Sequence, residues 1–60
     1  MDLQQITKKA RQEMGLSQKQ FAVLIQTNQT EISFIERGFI PNDQDKINRI
    51  YELYNNLLKG

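Results

Sequence analysis

The chain has no cysteine and no histidine. Without cysteine there is no disulfide framework, no zinc knuckle and no thiol nucleophile. Without histidine, the commonest metal ligand and the usual general base near neutral pH are missing as well. Tryptophan is also absent, and proline occurs once and glycine three times in 60 residues. The longest apolar run, Phe21-Ala22-Val23-Leu24-Ile25, falls far short of the roughly 20 residues that span a bilayer. The start, Met1-Asp2-Leu3-Gln4-Gln5, lacks the charged-then-apolar pattern of a secretory signal. The seven acidic residues form no evident paired site. These absences argue against an enzyme, a metal or cofactor protein and a membrane protein. What remains is a cytoplasmic binding module with no small-molecule ligand.

Size points the same way. Sixty residues make one small domain, 1–60, with no room for a second. A domain of this length buries only about 60% of the surface its unfolded chain exposes, so marginal stability is expected. Charge says little about partners: 8 Lys and Arg stand against 7 Asp and Glu, a net +1, which does not advertise a polyanion target. Amides are the unusual component, with 8 Gln and 5 Asn. Their paired donors and acceptors suit the reading of base edges, and equally suit a solvated helix surface.

Four segments carry helical periodicity. Leu3, Ile6, Ala10 and Met14 recur at spacings of three and four, one stripe over three turns. Asp2 and Gln5 form a capping box at its start, and Gly15 is placed to end it in a left-handed conformation. Ser17 and Gln20 form a second capping box, opening a segment that runs to about Ile25 with Phe21, Ala22 and Ile25 inward. A third segment opens at Asn28, turns Ile32 and Ile35 inward, and stops at Arg37-Gly38. The fourth follows Pro41, with Asn42 or Asp43 as cap; Ile47, Ile50, Tyr51, Tyr54 and Leu58 form its stripe, widened by Leu53 and Leu57. No stretch alternates with period two long enough to argue a strand. The expected fold is all-α, with four helices.

Only Gln26 and Thr27 separate the second and third helices. So tight a joint forces a large angle between them, the geometry of a helix-turn-helix, in which the second helix is presented outward. With Ile32 and Ile35 inward, the presented residues are Asn28, Gln29, Thr30, Ser33 and Phe34. On residue types alone, they can equally be a solvated polar face.

Residues Ile6 to Leu58 resemble the helix-turn-helix domain of the Cro/CI phage-repressor family, also called Xre-like. The resemblance sits in Arg11, in Gly15-Leu16-Ser17-Gln18-Lys19-Gln20-Phe21-Ala22, in Asn28-Gln29-Thr30-Glu31-Ile32-Ser33 and in Ile35-Glu36-Arg37-Gly38. It implies a compact four-helix or five-helix lambda-repressor-like DNA-binding domain. It also implies a sequence-specific double-stranded DNA-binding transcriptional regulator: a small repressor of a phage or mobile element. By the same resemblance Gln29 and Thr30 match the principal base-reading positions, with Ser33 beside them and Phe34 one turn on. Gln18 matches a residue that touches phosphate and braces the recognition helix. The other phosphate candidates are Lys8, Lys9, Lys19 and Arg37, with Ser17 and Asn28 as neutral donors. Arg11 and Glu36 match a pair joined as an ion pair between the first helix and the end of the third. Duplex DNA is preferred over RNA because A-form RNA hides its major groove from a projecting helix.

Three features depart from the family pattern. Gln26 and Thr27 stand where the turn usually has Gly and an apolar residue, so a looser or differently bent joint is expected. The loop Phe39-Ile40-Pro41 is apolar where the family is often basic. The family commonly has a fifth helix, and this sequence has room for four. Few cations are left for phosphate, and Glu31 and Asp43 would oppose them if they faced the groove, so a monomer should bind weakly. Apolar surface at Phe39, Ile40, Tyr54 and Leu57 then suggests a homodimer on DNA, unless these residues close the core over the first helix. The competing reading is a helical protein-interaction module, antitoxin-like or an adaptor subunit, on the same scaffold.

Overall fold

The computed structural model describes residues 2–60, and its element order follows from the punctuation above. Helix α1 spans Leu3–Glu13, α2 Gln18–Ile25, α3 Gln29–Ile35 and α4 Gln44–Lys59. Both capping boxes form: Asp2 accepts from the Gln5 backbone N–H while the Gln5 side chain reaches back, and Ser17 and Gln20 do the same. Each reciprocal pair satisfies two N–H groups that the first turn would leave orphaned. Of the two candidates at the start of α4, Asp43 is the cap, accepting from the Asp45 N–H at 3.0 Å. Among the described residues there are four helices, no strand and no fifth helix.

Three helix ends close by one device. At the end of α1, the Leu16 N–H bonds the Arg11 carbonyl and the Gly15 N–H bonds that of Gln12. At the end of α3, Phe39 bonds Phe34 and Gly38 bonds Ile35 in the same pattern. These are Schellman closures, and the residue at the corner is left-handed: Gly15 at φ 67° and Gly38 at φ 109°. At the end of α2, Thr27 bonds Ala22 and Gln26 bonds Val23, but the corner residue is Gln26 at φ 66°. The expectation of a looser joint is therefore corrected. Gln26 accepts about 1 kcal/mol of left-handed strain, and the two hydrogen bonds close the turn as tightly as glycine does elsewhere.

The core lies where the four helices meet. Leu3, Ile6 and Ala10 come from α1, Phe21, Ala22 and Ile25 from α2, Ile32 and Ile35 from α3 and Ile50 from α4. Met14, Leu16, Ile47, Leu53, Tyr54 and Leu57 pack around them. The chief pairings are α1 with α4 and α2 with α3, so the two short helices form one arm and the two longer ones brace it. The α4 stripe needs correction at its edges: Tyr51 and Leu58 are exposed, whereas Leu53 and Leu57 help close the core. Thr7 is fully buried on α1, and its hydroxyl has no hydrogen-bond partner among the described residues. An unmade bond of that kind costs about 1–3 kcal/mol.

Candidate nucleic-acid interface

The joint between α2 and α3 aims everything that follows. Asn28 caps α3, its Oδ1 accepting from the Glu31 N–H at 2.8 Å. The Thr27 hydroxyl donates to Glu31 Oε1 at 2.9 Å, and Lys46 of α4 reaches the same oxygen at 3.0 Å. Glu31 is thus drawn toward α4, its negative charge matched, with 23% of its side chain exposed. Asp43 is likewise occupied as the cap of α4. With Ile32 and Ile35 wholly buried, the helix has one orientation, and Gln29 and Thr30 project from its first turn, exposed. Neither side chain hydrogen-bonds any other described residue, so the amide and the hydroxyl are presented with their full donor and acceptor capacity.

The far end of α3 is tied down. Glu36, buried just past the helix, accepts from Arg11 Nε at 2.7 Å and from Arg11 Nη2 at 3.1 Å. This is a two-pronged pair, and Arg11 also donates to the Leu16 carbonyl at 3.0 Å. Gln18 donates to Glu36 Oε1 at 3.3 Å, and Gln4 donates to the Glu36 carbonyl at 3.0 Å. One carboxylate therefore joins α1, the start of α2 and the end of α3. Donating to the Glu36 carboxylate raises the pKa of Arg11 above its ordinary value, with burial opposing. Desolvation offsets much of the attraction in such a pair, so its main effect is to set geometry.

The remaining candidates are distributed unevenly. Ser17, Gln18 and Lys19 lie together at the start of α2, with Lys19 exposed and Gln18 half-buried. Lys8 and Lys9 are exposed on α1, where they share a shallow surface with Gln5, Gln12 and Glu13. Arg37 is folded back rather than extended: Nη2 donates to the Ser33 hydroxyl at 2.9 Å and Nε to the Ser33 carbonyl at 3.3 Å. Its guanidinium carbon lies 5.2 Å from the Phe34 ring centroid. Ser33, half-buried, thus has its hydroxyl engaged within the chain. Phe39 and Ile40 are exposed at 50% and 66%, while Tyr54 and Leu57 are half-buried against the core.

Two supporting residues escaped sequence reasoning. Lys46 sits 15 residues from Glu31, and Arg49 donates to the Ile25 carbonyl at 3.3 Å, bracing the last turn of α2 from α4. Both contacts depend on how α4 crosses the arm, and no local pattern signals them. The Ser33–Arg37 contact did have a signal, since residues four apart on a helix are neighbours.

Among the described residues, no helix is long and apolar enough to cross a membrane, and no cluster of acidic, His or Cys side chains could hold a metal ion. Searches of curated proteins and of solved structures return no significant match. A helix-turn-helix family model matches residues 8–49, from the middle of α1 into α4. That span takes in the capped joint, the presented turn and the Glu36 junction, and covers more than half of the chain: the protein belongs to the Cro/CI-type (Xre-like) helix-turn-helix family of DNA-binding regulators.

Proposed function

We propose that the protein is a sequence-specific repressor, of the kind carried by phages and mobile elements, that binds an operator as a homodimer in the cytoplasm. The observation that carries this reading is the first turn of α3. Gln29 and Thr30 stand exposed without a hydrogen-bond partner among the described residues, on a helix whose orientation is set by two buried isoleucines. Laid in the major groove, Gln29 has the paired donor and acceptor that match adenine N6 and N7, and Thr30 can bond a base edge or pack on a thymine methyl. Each such contact is worth roughly 1–3 kcal/mol of discrimination. Ser17, Gln18, Lys19 and Asn28 would take phosphate oxygens, which set register rather than sequence.

With so few cations, sequence-independent affinity is small, and a second subunit supplies what one lacks. Phe39 and Ile40 are exposed apolar residues in the loop that follows α3 and serve as the dimer contact, with Tyr54 and Leu57 contributing their uncovered edges. A symmetric pair places two recognition helices about 34 Å apart, one turn of DNA. A second reading, a protein-interaction module, draws on other apolar side chains left in solvent, Val23 at 73% and Leu24 at 49% on α2.

Selection from a random duplex pool at physiological salt tests the proposal. Enrichment of a two-fold repeat with half-sites about 10 bp apart is expected. A single short site would remove the dimer and keep DNA reading. No enrichment would overturn operator binding and favour a protein partner at the exposed apolar side chains.

A further inference from the structure

Lys46 and Arg49 lie three residues apart on α4 and so share one face of it. From that face α4 reaches both sides of the joint at Gln26 and Thr27. Lys46 meets Glu31 on the α3 side, and Arg49 donates from Nη1 to the Ile25 carbonyl on the α2 side at 3.3 Å. The two contacts differ in kind. Lys46 answers a partly exposed carboxylate, whereas half-buried Arg49 spends its charge on a neutral backbone oxygen. A carboxylate is at hand, since Glu52 lines the same groove beside Leu24, Ile25 and Leu53. Glu52 stands three residues beyond Arg49 on the helix, yet it forms no ion pair among the described residues. The closing bonds of α2 use the Ala22 and Val23 carbonyls and leave that of Ile25, at the C-terminus, without an intrahelical donor. Arg49 supplies the donor, and its charge suits the negative end of the helix dipole. Packing gives this junction little support of its own, because α4 packs chiefly against α1 and much less against α2.

We propose that Arg49 is a positioning residue for DNA reading: its tie to the Ile25 carbonyl fixes the angle between α4 and the α2–α3 arm, and with it the angle at which Gln29 and Thr30 meet the bases. This deepens the proposed function and rests on α3 being the helix that enters the major groove. Ile25 stands only four residues before Gln29, and the corner between them is closed by its own hydrogen bonds. A tilt in the last turn of α2 therefore passes to the first turn of α3. Paired base contacts need an amide within hydrogen-bond distance and angle of two atoms at once, whereas attraction to phosphate charge needs no such alignment. Loss of the tie lowers specificity before it lowers general attraction to DNA.

The test compares the native protein with Arg49→Met, which keeps the apolar stem and removes the donor, and with Arg49→Lys, which keeps the charge and a donor. Fluorescence anisotropy gives the affinity of each for the duplex recovered by selection and for a scrambled duplex of equal length at the same salt. Residual dipolar couplings of backbone amides give the angle between α3 and α4 in the free proteins. Arg49→Met should bind the selected duplex about tenfold more weakly, within the range of one lost base contact. It should bind the scrambled duplex within about twofold of the native protein, because no phosphate contact is removed. The angle should change, and Arg49→Lys should recover most of both the angle and the affinity. Melting temperature should fall by no more than about 10 °C, the effect of one hydrogen bond in a domain this small. Equal loss on both duplexes would make Arg49 a direct phosphate contact and overturn the proposal. An unchanged affinity for the selected duplex, an unchanged angle, a lysine variant no better than the methionine one, or variants unfolded at the assay temperature would each overturn it too, while leaving DNA reading by α3 intact. A native protein that binds no duplex would overturn the reading of α3 and this inference with it.

Discussion

On the first turn of α3, Gln29 and Thr30 project with no hydrogen bond to another described residue, whereas every polar side chain at the other end has a partner. Ser33 holds Arg37, Arg37 covers Phe34, and Glu36 takes Arg11 and Gln18 together. A helix of seven residues thus has one presented end and one anchored end. The physical reason for the division is that a polar group already paired inside the chain must give up that bond before it can bind elsewhere, while an unpaired one exchanges only water. Anchoring one end fixes the angle at which the other is offered. A mobile recognition helix would lose in ordering entropy much of what its contacts gain.

The contrast can be broken most severely at the anchored end. Arg11→Met leaves the Glu36 carboxylate buried without its guanidinium, and unfolding in urea should report a loss of about 3 kcal/mol or more. For a domain of marginal stability that is enough to leave a substantial unfolded fraction. A change at a side chain that hydrogen-bonds neither end of α3 serves as the control. Thr7→Val removes the unpaired buried hydroxyl and should raise stability by about 1–2 kcal/mol, with DNA affinity unchanged. The joint itself offers a smaller gain. Gln26→Gly relieves the left-handed strain and should add about 0.5–1 kcal/mol in thermal unfolding, reduced by the greater freedom of glycine in the unfolded chain.

The least effect on stability is expected at Lys46. Its contact with Glu31 is partly exposed, so Lys46→Met should change folding by less than about 1 kcal/mol. The carboxylate it releases, however, sits on the first turn of α3 beside the presented residues. Affinity for a selected duplex should fall and its salt dependence should change, with Glu31→Gln restoring binding in the Lys46→Met background. A loss that Glu31→Gln does not repair would mean that Lys46 acts in some way other than by holding that charge.

Much of this arrangement is legible in the chain because its signals are local. Asp2 with Gln5, Ser17 with Gln20, and Asp43 mark three helix starts, and Gly15 and Gly38 mark two ends, each through bonds spanning a few residues. The end at Gln26 is harder to read, because nothing in a glutamine announces a left-handed corner; the closure onto Ala22 and Val23 imposes it. The width of the α4 stripe is ambiguous for a related reason. Residues 47, 50, 54 and 57 define its centre line, but whether 53 or 51 flanks it inward depends on where α1 crosses, and that is a tertiary fact. Arg11 and Glu36 lie 25 residues apart, and family resemblance rather than spacing points to their pairing. Arg37 reads from sequence as a free cation, yet its neighbours at Ser33 and Phe34 draw it back along the helix.

The division of α3 into an anchored end and a presented end is tested most directly by the Gln29→Ala, Thr30→Ala double variant. Its affinity for the selected duplex and its melting temperature should be measured together. Because neither side chain bonds to the rest of the described chain, the expected result is a melting temperature within a degree or two of the native value and binding reduced to the non-specific level. Sequence-specific binding that persists in the variant would contradict a first turn that reads DNA. A large fall in melting temperature would contradict a turn that is free of the fold.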